Sequence, residues 1–291
     1  MNTFPAPAKI NLHLQVTRTL ENGYHELDTS FVYVDVEDEL QISPAEKLTV
    51  TCSNPAFNGA NNLVYQVIEA FQQKYEISSG LSIHIDKHLP DQAGLGGGSS
   101  DAATALMVAN DYWKLNLPVE DLILFAAPFG ADIPCFLFGK ASLAKGVGEQ
   151  LTDYPDSLPE GVVLLAYPGV GLSTPAVFQC YDSQIGNAGA LTHHGSADTI
   201  RGLSGRAIGN NDLETCACSI SIEVVKLLEQ MRSMSDRAWM SGSGSTCVAL
   251  FADQKQAESA VSTLVEKKLA TWTHIGKLLR EHPLQSRKIG A

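Results

Sequence analysis

Leu89-Pro90-Asp91-Gln92-Ala93-Gly94-Leu95-Gly96-Gly97-Gly98-Ser99-Ser100-Asp101-Ala102-Ala103 is the segment on which the reading of this chain turns. Four of the five positions from Gly94 to Gly98 are glycine, and the segment runs straight into Thr104-Ala105-Leu106-Met107-Val108-Ala109, a set of good helix formers. Glycine admits positive φ and places no side chain between backbone amides and a ligand. Ser99, Ser100 and Asp101 are residue types that cap helix N-termini, so the helix is expected to open there. A helix start behind such a loop collects unpaired N–H groups and about half a positive charge, which suits a phosphate. The stretch is therefore expected to cradle a nucleotide triphosphate.

Two better-known glycine loops do not fit. No Gly-Lys-Ser/Thr follows the glycines, as a Walker A loop requires. The spaced third glycine of the dinucleotide fingerprint is missing too, together with its βαβ setting. A flexible Gly/Ser linker is the remaining alternative, and the alanine-rich helix that follows at once argues against it.

Composition narrows the class. The chain has 291 residues, 44% hydrophobic and 18% charged, enough for one large or two ordinary globular domains. A net charge of −12 argues against a nucleic-acid coat or a polybasic membrane binder, so an anionic ligand needs local positive groups. Met1 to Pro7 carries no basic n-region or apolar run, so no signal peptide is expected. Cys52, Cys135, Cys180, Cys216, Cys218 and Cys247 are scattered and read as reduced thiols of a cytoplasmic protein. Cys216-Ala217-Cys218 lacks the spacing of a zinc site.

Along the chain, Ile10 to Val16 alternates like a half-buried strand, Asn22-Gly23 marks a turn, and Thr29 to Val36 and Leu48 to Cys52 read as further strands. Glu37-Asp38-Glu39 reads as a solvated turn. A helix is expected over Asn62 to Tyr75, capped by Asn61 or Asn62, and Leu81 to Ile85 delivers the chain into the glycine loop. A second helix spans Val119 to Ala127 and stops at Pro128. Leu158-Pro159-Glu160-Gly161 divides the chain into domains 1–157 and 158–291. Beyond it come a buried strand over Val162 to Pro168, helices at Ile222–Met231 and Ala257–Lys267, and a glycine turn from Ala238 to Thr246. Gln184 to Gly205, with His193-His194, is expected to be a mobile surface loop.

Three islands carry chemistry, each with a plainer alternative. Lys9, in Pro7-Ala8-Lys9-Ile10-Asn11, reads equally as a solvated strand end. Asp132, in Gly130-Ala131-Asp132-Ile133-Pro134, reads equally as a helix cap. Ser241-Gly242-Ser243-Gly244 reads equally as a turn.

Taken with the glycine loop, Gly23-Tyr24-His25-Glu26-Leu27, Gly146-Val147-Gly148-Glu149, Ser173-Thr174-Pro175 and Asn211-Asp212-Leu213-Glu214, these islands resemble the GHMP kinase superfamily nearly end to end. The resemblance is strongest to the branch whose acceptor is a cytidine diphosphate conjugate of methylerythritol. It implies an α+β fold of two domains, an N-terminal α/β domain with the phosphate loop and a C-terminal ferredoxin-like domain, with the active site in the cleft between them. ATP is the implied donor, held by Pro90, Asp91, Gln92, Ala93, Gly94, Leu95, Gly96, Gly97, Gly98, Ser99 and Ser100, with Asn62, Leu63 and Asn110 around the adenosine. Mg²⁺ is implied with it, its ligands unassigned. Asp132 is the implied general base and Lys9 its cationic partner. Asn11, Tyr24, His25, Phe31, Thr174 and Phe178 are implied to hold the cytidine end, with Tyr24 and Phe178 stacking on the base. Asp91-Gln92 departs from the small residues of the family pattern. The expected partners are the small-molecule substrate and ATP, with no nucleic acid and no membrane; protein partners are left open. The rivals are a kinase of the same superfamily acting on homoserine or mevalonate, and a nucleotide-binding regulator without catalysis.

Overall fold

A computed structural model describes residues 2–21, 23–188 and 207–286. The first half contains β1 (Asn2–Thr19), β2 (His25–Ala45), β3 (Thr49–Cys52), α1 (Leu63–Lys74), β4 (Gly80–Asp86), α2 (Gly97–Tyr112), α3 (Val119–Ala126), α4 (Ile133–Phe138), β5 (Ser142–Lys145) and β6 (Gln150–Asp153). The second contains β7 (Val162–Tyr167), α5 (Thr174–Ala188), α6 (Glu214–Ile220), α7 (Ile222–Arg232), β8 (Ala238–Met240), β9 (Cys247–Phe251), α8 (Gln254–Glu266), β10 (Trp272–Gly276) and β11 (Leu278–Leu279).

Two sheets form. The first follows the order β3-β4-β2-β5-β6, with β1 and β11 also paired to β2; only β3 and β4 run parallel. The second is antiparallel in the order β10-β7-β9-β8, which with its intervening helices is the ferredoxin-like arrangement. The expected division near residue 157 falls between β6 and β7. The last strand returns, Leu278 opposite Val34 and Leu279 opposite Tyr33, and so belongs to the first sheet.

Strand periodicity explains how the sheets stack. Successive side chains point to opposite faces. In β7, Val163 and Leu165 pack with Ile10, Leu12 and Val34 of the first sheet. Leu164 and Ala166 pack on the other side with Val177, Leu227 and Leu264 from the helices. On the far face of the first sheet, Phe31, Ile83 and Ile85 meet Phe71, Leu106 and Phe136. The molecule is four layers deep, helices–sheet–sheet–helices. This depth corrects the reading of Ile10–Val16 as half-buried: Lys9, Asn11 and His13 are buried along with their apolar neighbours, because both faces of β1 are covered. The tail of the expected mobile loop, Gln184 to Ala188, is the end of α5; 189–206, with His193-His194, lies outside the described residues.

Candidate active site

β1 sets the centre of the site. Lys9 and Asn11 lie two apart on one face of the strand, and Asn11 stands opposite Phe31 of β2. The Lys9 ammonium donates to Asn11 Oδ1 at 2.9 Å and lies 5.2 Å from the centre of the Phe31 ring. Asn11 Nδ2 donates in turn to Thr29 Oγ1 at 2.8 Å. The alternative of Lys9 as a solvated strand end is excluded by its 3% exposure.

Asp132 reaches the same ammonium, Oδ2 to Nζ 3.2 Å, with its own side chain one-third exposed. It occupies the N-cap position of α4, yet its side chain makes no capping hydrogen bond, and Pro134 fills the second helical position. The carboxylate is directed to the cleft and Lys9 instead of to the helix.

The glycine loop is clasped from both sides. Leu95 C=O accepts the Lys9 N–H at 3.0 Å. From the second half, Thr246 N–H donates to Ala93 C=O at 3.0 Å and Ser241 Oγ to Gly94 C=O at 3.1 Å. Gly94 has φ +76°, and a Cβ there would sit 2.3 Å from Ser241 C=O. Gly96, at φ +72°, is the N-cap of α2. The helix therefore opens at Gly97, about one turn earlier than the capping propensities of Ser99, Ser100 and Asp101 suggest, because glycine takes that left-handed turn without strain. The larger Gln92 docks the loop on the other half, its C=O accepting the Leu172 N–H at 3.2 Å.

A cleft of about 570 Å³ runs along this loop from Pro90 to Ser99. Lys9, Asn11, Phe31, Leu63, Asp132, Thr174, Phe178 and the Gly242–Gly244 turn line it. Five expected residues do not line it. Asn110 is spent on structure, Nδ2 donating to Leu117 C=O at 3.1 Å and Oδ1 accepting the Leu117 N–H at 3.0 Å. Asn62 caps α1 through the Val64 N–H at 2.8 Å and ties back to Phe57 C=O. Ser100 is buried within the first turn of α2. Tyr24 is largely exposed outside the lining. His25 is buried behind Phe178, the two rings stacked with centroids 4.5 Å apart and planes 22° apart, while its Nε2 lies 2.7 Å from Asp182 Oδ1.

Sequence reasoning missed Lys87, which lines the cleft. Its ammonium pairs with Asp38 Oδ2 and, at 2.9 Å, with Asp101 Oδ2. Asp38 Oδ1 accepts the N–H groups of His88 and Leu89 at 2.6 and 2.8 Å. Glu37-Asp38-Glu39 is thus no solvated turn: it lies inside β2, with Asp38 completely buried against a cation. Burial pulls the Lys87 ammonium towards losing its proton, but Asp101 and Asp38 outweigh that and hold it charged. Burial pushes the Asp101 carboxyl up to about 7, with Lys87 opposing and Asp38 adding to the rise. The signal available was a lysine between a strand and the loop, in Asp86-Lys87-His88.

A buried ammonium beside a part-exposed carboxylate, next to an amide-rich loop, can orient a hydroxyl, accept its proton and stabilise negative charge on a phosphoryl group. The relatives decide the chemistry. The GHMP kinases N terminal domain model matches residues 62–140 and the GHMP kinases C terminal model residues 194–270. The 4-diphosphocytidyl-2-C-methyl-D-erythritol kinase of Cupriavidus metallidurans is 36% identical, covering 96% of this chain and 94% of that protein. That of Nitrosococcus oceani is 37% identical over 91% of both. The chain belongs to the 4-diphosphocytidyl-2-C-methyl-D-erythritol kinase family of GHMP kinases.

A crystal structure of a 4-(cytidine 5'-diphospho)-2C-methyl-D-erythritol kinase superposes on this GHMP kinase with a TM-score of 0.76 at 30% identity, covering 95% of this chain and 99% of the other. The mevalonate kinase of L. major shares the fold alone, with a TM-score of 0.68 at 15% identity over 97% and 96% of the two chains. Among the described residues of this kinase no group of three or more His, Cys, Asp or Glu could hold a metal ion, and no helix is long and apolar enough to cross a membrane.

Proposed function

We propose that this kinase transfers the γ-phosphoryl group of ATP to the 2-hydroxyl of 4-diphosphocytidyl-2-C-methyl-D-erythritol, a step of the methylerythritol phosphate route to isoprenoid precursors. The observation that carries the residue roles is the 3.2 Å pairing of Lys9 and Asp132 in the cleft beside the glycine loop. Asp132 orients the substrate hydroxyl and accepts its proton as the oxygen attacks the γ-phosphorus. The new P–O bond forms as the bond to the β-phosphate oxygen breaks, and ADP leaves. Lys9 stabilises charge on the transferring group, and the amides of Gly94–Ser99 hold the phosphates. Magnesium supplies charge neutralisation on the phosphates when bound. The two domains are residues 1–157 and 158–291, the second sending β11 back to pair with β2 of the first. All six cysteines are free thiols, in keeping with the cytoplasm as the site of the reaction.

The cytidine end rests on Phe178, Thr174, Asn11 and Phe31, which share the cleft. His25 backs Phe178, so one ring supports the other that faces the base. Phe178→Ala is expected to raise the KM for the acceptor roughly tenfold, a typical stacking contribution, with kcat changed far less. Equal losses in kcat and kcat/KM would contradict the stacking role.

The proposal as a whole is tested by steady-state ADP release with the cytidine substrate, its uridine analogue, mevalonate and homoserine. Turnover confined to the cytidine compound is expected. Turnover of another acceptor instead would keep the Lys9–Asp132 chemistry and discard the pocket. ATP binding without turnover of any acceptor would favour a regulatory protein.

A further inference from the structure

Beneath the phosphate loop, charged groups from three parts of the fold share one buried contact. Asp38 comes from β2, Lys87 from the exit of β4 and Asp101 from the second turn of α2. Two carboxylates around one ammonium leave a negative charge unmatched in the interior, which is strongly disfavoured unless a proton binds.

The hydrogen bonds indicate which carboxyl takes it. Asp38 uses both oxygens, accepting from Lys87 on one and from two backbone amides on the other. Asp101 accepts only from Lys87, through Oδ2; its Oδ1 is buried without a partner. Each donor favours the charged form of its acceptor, so Asp101, with fewer donors, is the carboxyl that takes the proton. The burial that lifts the Asp101 carboxyl to about 7 agrees with this assignment. The remaining titratable neighbours do not supply the missing charge. Burial pushes the Cys52 thiol of β3 up, so it stays neutral, and His88 faces outward, 3.8 Å from Asp86.

The loop rests directly on this cluster. A Cβ built on Gly97 would lie 3.2 Å from Lys87 Nζ and 3.3 Å from Asp38 Oδ2. We propose that Asp101 is a positioning residue that holds a proton beneath the phosphate loop, so that binding of a nucleotide polyphosphate is coupled to proton uptake at this carboxyl. A polyphosphate above the loop disfavours the ionised carboxylate, and by reciprocity the ionised carboxylate weakens the polyphosphate. The inference rests on the reading that this loop binds ATP.

The test measures ATP affinity, with magnesium, of the wild-type chain and of Asp101→Asn on either side of neutral pH. Asparagine keeps the shape of the protonated acid but cannot ionise. Wild-type affinity is expected to fall about tenfold from about pH 6 to about pH 8, and that of Asp101→Asn by no more than about twofold. The second ionisation of phosphate, near pH ~6, is common to both proteins and drops out of the comparison. Calorimetry of the wild type in two buffers of different ionisation heat should show proton uptake on binding, a readout that does not require the variant to fold. A variant that keeps the wild-type slope, or a wild type that takes up no proton, would overturn the inference and leave the kinase reading intact. A wild type that binds no ATP at any pH would overturn the phosphate-loop reading and this inference together.

Discussion

Asp132→Asn lowers kcat by roughly 10²–10⁴-fold, the usual worth of a general base, while the dissociation constant for ATP stays within about twofold. The asparagine occupies the same volume and still offers an oxygen to Lys9, but it cannot take the proton of the attacking hydroxyl. The fold has little reason to respond. Asp132 is part-exposed, and Lys9 keeps Asn11 Oδ1 at 2.9 Å and the Phe31 ring when the carboxylate is gone. Single-turnover phosphoryl transfer, paired with a nucleotide titration, separates the two effects. A kcat within about tenfold of wild type would remove Asp132 from the proton transfer.

The largest effect on stability is expected from Lys87→Met. Methionine replaces the stem of the lysine but leaves Asp38 and Asp101 facing each other without a cation. Removing one partner of a buried ion pair costs about 3–5 kcal/mol, a large share of the ~5–15 kcal/mol that keeps a domain folded. The pH dependence has a definite sign. Without the ammonium, the folded variant binds protons on these carboxyls more tightly than the unfolded chain does. Its deficit is therefore largest at neutral pH and shrinks as pH falls towards the ordinary carboxylate range, near ~4. Urea unfolding at two pH values reads this directly. A loss under about 1 kcal/mol at neutral pH, or a deficit that grows in acid, would show that the cluster does not carry this weight.

What was legible in the sequence was what is local. Four glycines before an alanine-rich helix announce a phosphate loop because backbone freedom and helix propensity belong to the residues themselves. The continuous apolar run Val162–Tyr167 likewise announces a buried strand. Asp38 was misread because its neighbours are Glu37 and Glu39, a run that looks solvated; its burial depends on Lys87, 49 residues away. Asn110 shows a different limit. Its amide suits an adenine as well as a backbone, and only the fold shows Leu117 already taking both ends. Lys9 and Asp132 lie far apart in sequence, and nothing around either one states that β1 and the start of α4 meet.

Pro134 gives the loop around Asp132 a further meaning. An aspartate that opens a helix is ordinarily captured by an amide two or three residues ahead, and a captured carboxylate is poorly placed to meet a substrate. At the second helical position of α4 the proline ring removes the nearer of these amide hydrogens, and the Asp132 side chain makes no capping bond to the other. Availability for proton transfer is thus secured here by subtraction: the helix declines the carboxylate, and Lys9 and the cleft inherit it.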